Sequence, residues 1–415
     1  MRANAALLAH AAAALGELLQ FAAPADQVLS AHFRKHRHLG QKDRAFIAEA
    51  AFAVLRRRRS LEAAAGIAEP AALVIAALVR VLGFSARALE DFADTELLAK
   101  LRSASSKELP DAVRLDLPDW LWQRLEAQHG REEAQRIAQG LLNSAPLDLR
   151  VNLTRASRED ALARLTHDGI EAAATDLSPA GVRLGGKPAI NNHALFRDGL
   201  IEVQDEGSQI LAWLVAPRRG EMIADYCAGA GGKTLALAML MRGSGRVYAM
   251  DVSAKRLAAL APRAARAEVN NIHTIALSGE NDARAKRLAG KLERVLVDAP
   301  CSGFGTLRRN PDLKWRHGPS AIDELAAKQA RILQAAARLV KPGGRLVYAT
   351  CSILQEENEA IVEGFQRGAP EFKFLSCAEL LAAQKIPLDT GERLRLWPHV
   401  HGTDGFFAAA FERAS

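Results

Sequence analysis

Cysteine is scarce, 4 in 415 residues, and Cys227, Cys301, Cys351 and Cys377 show no CxxC spacing. That argues against both a disulfide framework and a zinc site, so no metal is expected and a reduced, cytoplasmic setting is the natural one. Long apolar runs are also missing. No stretch of about 18 uncharged apolar residues occurs, so no membrane-spanning helix is expected. The Ala/Leu-rich start, Met1 to Leu19, has only Arg2 as a basic region and no convincing cleavage site. It reads as a first helix rather than a signal peptide. Acidic residues are outnumbered, 48 against 55 Lys and Arg for a net charge of +7, which favours a polyanionic partner. With 49% hydrophobic and 25% charged residues, the chain has the composition of a globular protein, too long for a single core.

Residues 1–105 read as helical throughout. Phe46, Ile47, Ala50, Ala51, Val54 and Leu55 recur at helical spacing on one face. Beside them lie His32, Arg34, Lys35, His36, Arg37 and His38, then Arg56 to Arg59. Such a charge run is either a solvated face or a contact for RNA phosphates. Periodicity fades over Ser103 to Pro118. The segment 117–199 then alternates at short spacing: helical Asp119 to Leu142, a strand at Leu147 to Val151, a helix at Ser157 to Leu165 and a strand at Leu200 to Val203. From residue 200 to 415 the pattern is regular strand–helix repetition. Short apolar strands are expected at Met222–Tyr226, Val247–Met250, His273–Leu277, Val295–Val297 and Leu346–Ala349, with a helix at Ile322–Val340. That implies an α/β domain with a parallel sheet, whose ligands bind beyond the carboxyl ends of the strands.

The first of these strands runs into Asp225, Tyr226, Cys227, Ala228, Gly229, Ala230, Gly231, Gly232, Lys233 and Thr234. Glycines let the backbone pass close to a ligand, and the following helix offers free N–H groups. The spacing fits neither a Walker loop nor GxGxxG. Asp251 closes the next strand, where a carboxylate can hold ribose hydroxyls. An adenosine-containing cofactor fits, either S-adenosylmethionine (SAM) or NAD. Alternatively, Asp251 caps the helix that begins near Ser253.

Two further strand ends carry thiols, Asp298-Ala299-Pro300-Cys301-Ser302-Gly303 and Thr350-Cys351-Ser352. Neighbouring strands would bring both to one cleft with Asp298. Carbon 5 of cytosine is a poor nucleophile, and a thiolate adding to carbon 6 activates it. A carboxyl such as Asp298 can hold N3 as charge develops, and a base must later remove the carbon 5 proton. Either cysteine alone would more simply be a small buried hydrophobe; Cys227 and Cys377 are read that way, although Cys227 can also line the cofactor loop. Arg308, Arg309, Asn310, Pro311, Asp312, Lys314, Trp315 and Arg316 follow directly. This basic segment with one aromatic suits a flipped base and its phosphates, or is an ordinary solvated loop.

Taken in order, these motifs resemble the RNA cytosine-C5 methyltransferases of the bacterial RsmB and eukaryotic NSUN kind. Val203 to Ser208, Cys227 to Lys233, Asp298 to Gly303, Lys341 to Gly344, Thr350 to Ser352, Glu356 to Glu359 and His401 to Phe407 carry the likeness. The resemblance implies a Rossmann-like class I SAM-dependent methyltransferase domain at 200–415. Ahead of it come a small α+β RNA-recognition-like module at 117–199, marked by Pro146 to Asn152, and an all-α NusB-like domain at 1–105, marked by Lys42 to Phe46 and Val54 to Arg56. It implies Cys351 as nucleophile, Cys301 as the residue assisting product release, Lys233 beside the catalytic Asp298, and cofactor contacts from Cys227 to Lys233, Asp251 and Asp298. An acidic residue holding adenine is expected at Glu280 or Asp282. The family's proline is replaced by Ala230, which should loosen the turn slightly. The implied substrate is 16S ribosomal RNA, and a monomer is expected. The competing readings are the same chemistry on transfer RNA, a non-catalytic RNA-binding protein, an amino- or oxygen-directed methyltransferase, and a nicotinamide oxidoreductase.

Overall fold

The computed structural model describes residues 3–415. The chain divides into two compact units, one of residues 1–144 with 306–319, the other of 145–305 with 320–415.

The first unit is helical. Helices α1 (Ala5–Leu18), α2 (Ala25–Lys35), α3 (Gln41–Ala65) and α4 (Pro70–Arg80) bury an Ala/Leu-rich core. The expected stripe on α3 is its buried face: Phe46, Ile47, Ala50, Ala51, Val54 and Leu55 all lie within that core. The helix bends at Arg57, whose φ/ψ of −123/34 is not helical. Asp119–His129 and Arg131–Leu142 are separate helices, because Gly130 adopts φ +76 between them. Among the described residues no single helix is long and apolar enough to cross a membrane.

The arginine run is largely committed within this unit. Arg56 donates to the Arg308 carbonyl at 3.0 Å, Arg58 pairs with Glu62 at 2.7 Å and Arg59 with Asp119 at 2.6 Å. The segment 306–319 belongs here too. Lys314 Nζ donates to the Arg56 carbonyl and Trp315 Nε1 to the Leu55 carbonyl, each at 2.8 Å. Arg308, Asp312 and Lys314 are buried, and burial pushes the Lys314 ammonium down to about 7. The expectation of an open loop stacking a flipped base is therefore corrected for Arg308, Lys314 and Trp315. The Arg308 carbonyl, Lys314 Nζ and Trp315 Nε1 hold the segment to α3.

The second unit holds two sheets. The smaller is antiparallel in the order β2-β3-β1-β4: β1 (Leu147–Val151), β2 (Ala172–Ala174), β3 (Gly181–Leu184) and β4 (Ile201–Val203). The larger contains β5 (Met222–Asp225), β6 (Arg246–Asp251), β7 (Ile272–Ala276), β8 (Leu292–Asp298), β9 (Val340–Thr350), β10 (Phe372–Leu375), β11 (Leu394–Leu396) and β12 (Phe406–Arg413). Its order is β10-β12-β9-β8-β5-β6-β7, with β11 on β12. β9, β8, β5, β6 and β7 run parallel, and β12 returns antiparallel against β9. All five expected strands are present, shifted by a residue or a few. Two apolar clusters pack against this sheet. The carboxyl ends of β5, β6, β8 and β9 carry the loop at Tyr226, Asp251, Asp298 and Cys351.

Candidate active site

Glycines shape the cofactor loop at two points. Gly229 (φ +55) and Gly231 (φ +86) take left-handed conformations, and a Cβ on Gly231 would lie 2.2 Å from Leu260 Cδ1. Gly229 N–H donates to Asp251 Oδ2 at 2.8 Å, and Ser253 N–H donates to Asp251 Oδ1 at 2.7 Å. Asp251 thus ties the loop to β6, while the helix Ala254–Ala258 is capped by Ser253 and not by Asp251. Where the family's proline is absent, Arg263 reaches in and donates to the Ala230 carbonyl at 2.6 Å. The turn is braced by a side chain instead of a ring.

A cavity of about 530 Å³ opens beyond these strand ends. Cys227, Asp251, Glu280, Asp298, Cys301 and Cys351 line it. Ala228 to Lys233 form the adjoining turn and the first residues of the helix Gly232–Leu240. The structure separates the two acidic candidates. Asp282 lies outside the cavity lining and is consumed by its own loop, accepting from Ser278 N–H and Arg284 N–H at 2.8 Å each. The Arg284 guanidinium and those amides hold its carboxyl far below the usual range.

Lys233 Nζ and Asp298 Oδ2 are 2.7 Å apart. Burial opposes the lysine's charge, but Asp298, with Cys351 and Asp225 beyond, lifts its pKa above the ordinary value. The two thiols face each other, Cys301 Sγ 3.4 Å from Cys351 Sγ. Cys301 is held as a thiol, first by its contact with Cys351 and then by burial. Burial and the carboxylates Asp225, Asp298 and Asp251 do the same to Cys227. Cys377 is fully buried and its thiol is pushed up to about 11 by that burial, as a packing residue requires.

Glu357 organises both cysteine loops, a role its place in an acidic run did not disclose. It is fully buried. Its carboxylate accepts from Ser302 N–H at 2.8 Å, Ser302 Oγ at 2.6 Å and Gln329 Nε2 at 3.0 Å, and also from Ser352 Oγ. The residues immediately after Cys301 and Cys351 are thereby fixed to one anchor. A sequence signal existed only in the pair of serines that follow the two cysteines.

Asp225, at the end of β5, is also buried. Burial pushes its carboxyl up to about 7, with Asp298 adding to the shift and the Thr234 hydroxyl, 2.7 Å away, opposing it. A raised carboxyl pKa stabilises the fold most below about 4, and that contribution is lost as pH rises through 7. Asp225→Asn should remove this dependence. In urea unfolding, wild-type stability relative to the variant is expected to fall by on the order of 3 kcal/mol between pH 4 and pH 8. A constant difference across that range would refute the assignment.

The methyltransferase model for 16S rRNA methyltransferase RsmB/F matches residues 212–412, and a ferredoxin-like domain of the RsmF/B-like methyltransferases matches 117–191. The probable ribosomal RNA small subunit methyltransferase B of Bacillus subtilis (strain 168) is 34% identical over 309 residues, 73% of this chain and 67% of that protein. The chain belongs to the RsmB/F methyltransferase family. The corresponding Synechocystis protein is 36% identical over 72% of this chain and 67% of its own length, so about a third of these relatives lies outside the alignments. Among solved structures, PH0851 superposes with a TM-score of 0.80 at 27% identity, covering 100% of both chains. A methyltransferase homolog protein from Pyrococcus horikoshii gives 0.63 at 29%, covering 75% of this chain and 100% of its own.

This RsmB/F-family chain is a SAM-dependent methyltransferase with a Rossmann-like catalytic fold. The cavity's donor set fits the cofactor. SAM carries a ribose diol, an ammonium and a sulfonium, and the carboxylates of Asp251, Glu280 and Asp298 on the cavity lining match such groups in charge and hydrogen bonding.

Proposed function

We propose that the protein methylates carbon 5 of a cytosine in structured RNA, 16S ribosomal RNA by the likeness to its relatives, through a covalent bond from Cys351 to carbon 6. The observation that carries this reading is the Cys301–Cys351 pair, 3.4 Å apart on the wall of the cofactor cavity. Methyl transfer to nitrogen or oxygen has no use for two facing thiols, nor has hydride transfer.

In this reading the Cys351 thiolate adds to carbon 6, and the electron pair displaced onto the ring makes carbon 5 nucleophilic. The Asp298–Lys233 pair shares a proton with N3 and stabilises the charge that develops there. Bound SAM supplies the electrophilic methyl. A base then takes the carbon 5 proton; the C5–H electron pair restores the C5–C6 double bond, and the C6–S pair leaves with sulfur, regenerating the Cys351 thiolate. Cys301, 3.4 Å from Cys351, assists this release. Asp251 and Glu280 hold the cofactor, Glu280 being the acidic residue favoured over Asp282. Residues 117–199 and 1–105 serve as the RNA-recognition-like and NusB-like parts, and the active form is a monomer.

The test uses SAM with a labelled methyl and unmodified 16S RNA, with Cys301→Ala beside wild type. Label on cytosine C5 from wild type is expected, and from Cys301→Ala a protein–RNA adduct that survives denaturing gels. Label on transfer RNA instead would keep the chemistry and discard the substrate. Label on another atom would remove the C5 reading. A single light-scattering mass near 90 kDa, twice the 44.7 kDa chain, would overturn the monomer.

A further inference from the structure

The histidines between residues 10 and 38 take no part in this chemistry. His10 lies on α1, His32 in the last turn of α2, and His36 is the residue that ends α2, its backbone N–H donating to the His32 carbonyl. One ligating atom from each of the three lies within 4.8 Å of the others. Ring centroids are 4.7 Å apart for His10 and His36 and 4.5 Å for His32 and His36. His38 stands 5.4 Å from His10.

His32 is the second, independent observation. It is 1% exposed, and among the described residues neither of its ring nitrogens has a hydrogen-bond partner. Glu17 Oε1, at 3.5 Å from Nδ1, comes nearest. Buried polar atoms are almost always satisfied, and an orphaned imidazole aimed into a group of other imidazoles is an arrangement a cation would complete.

We propose that His10, His32 and His36 bind one divalent transition-metal ion of the zinc class, with its fourth position facing Glu17 and His38. Neutral imidazoles are the commonest protein ligands for such ions. Tetrahedral coordination at about 2.0–2.1 Å sets the nitrogens about 3.4 Å apart. The present spread closes to that by turning the rings. The ion would clip α1 to α2 beneath the start of α3, a structural role, since loss of the clip would free the first helix from the second. The scarcity of cysteine does not bear on an all-histidine site.

The full-length protein, stripped with chelator, is titrated with zinc(II) and separately with cobalt(II). Expected are one ion per chain and the visible absorption of tetrahedral cobalt. Zinc at about 100 times its Kd should raise the unfolding temperature by about 5–10 °C. His10→Asn and His36→Asn, both at partly exposed positions, should bind at least ~100-fold more weakly and lose that rise. In wild type, saturating zinc should also shift the ring NMR signals of these three histidines, a readout that needs no variant to fold. One ion per chain bound equally by wild type and both variants would place the metal elsewhere and overturn the proposal. So would the absence of zinc binding tighter than about 100 µM, or unshifted rings at saturation.

Discussion

Cys351→Ala is expected to lower methyl transfer by at least ~10⁴-fold, about 5 kcal/mol of transition-state stabilisation, with SAM affinity changed less than twofold. The two readouts separate because Cys351 reaches the cavity from the β9 end. The loop that cradles the cofactor follows β5 and is tied to Asp251. Serine should not rescue the variant, since an alkoxide at neutral pH is far scarcer than a thiolate. Single-turnover transfer of labelled methyl and equilibrium SAM binding give the two numbers. Activity within tenfold of wild type would eliminate the covalent route.

Gly305→Ala is expected to lower turnover by ~100-fold or more without touching substrate or cofactor, because about 1 Å of misplacement costs that much. Gly305 N–H donates to the Cys351 carbonyl at 2.8 Å, and the Gly305 carbonyl accepts from Gly405 N–H at 2.8 Å. A Cβ at this position would lie 2.1 Å from the Gly405 carbonyl oxygen and 2.8 Å from that of Cys351. Those are backbone atoms that no rotamer change can move aside. The backbone at Cys351 and at Gly405 must move apart from Gly305, and the Cys351 thiol moves with it. The variant should keep measurable SAM binding while its kcat falls and its unfolding temperature drops by several degrees. Unchanged kcat would show that the three-way backbone contact does not position Cys351.

The parallel sheet was legible because its strands are short apolar runs ending in chemically distinctive loops. Buried strands must be apolar on both faces, and nothing in the intervening helices imitates that. β10 and β11, of four and three residues, carry too few side chains to show a period. The cysteine pair was legible for a different reason: each thiol stands at the end of a strand, and adjacent strands leave little choice of where their ends meet. Lys314 and Trp315 were not. Basic residues beside an aromatic look solvated until their partners are known, and those partners are carbonyls of Leu55 and Arg56, some 260 residues earlier. The histidine group failed similarly, since His10 and His32 join only when two helices pack. Glu357 hid inside a run of acids whose other members give no hint that one is wholly buried.

The helical unit is interrupted in sequence, its first 144 residues being joined by 306–319 only after residues 145–305 have intervened. During synthesis the amino-terminal helices therefore leave the ribosome well before the short helix Leu313–Arg316, which carries Lys314 and Trp315, exists. At ~5–20 residues per second the wait lasts on the order of ten seconds or more. Through that interval the Leu55 and Arg56 carbonyls lack the donors that later cap them, and the kink at Arg57 stays open to water. The nascent helices must hold together on their own apolar core while the segment 306–319 that completes them is still being made.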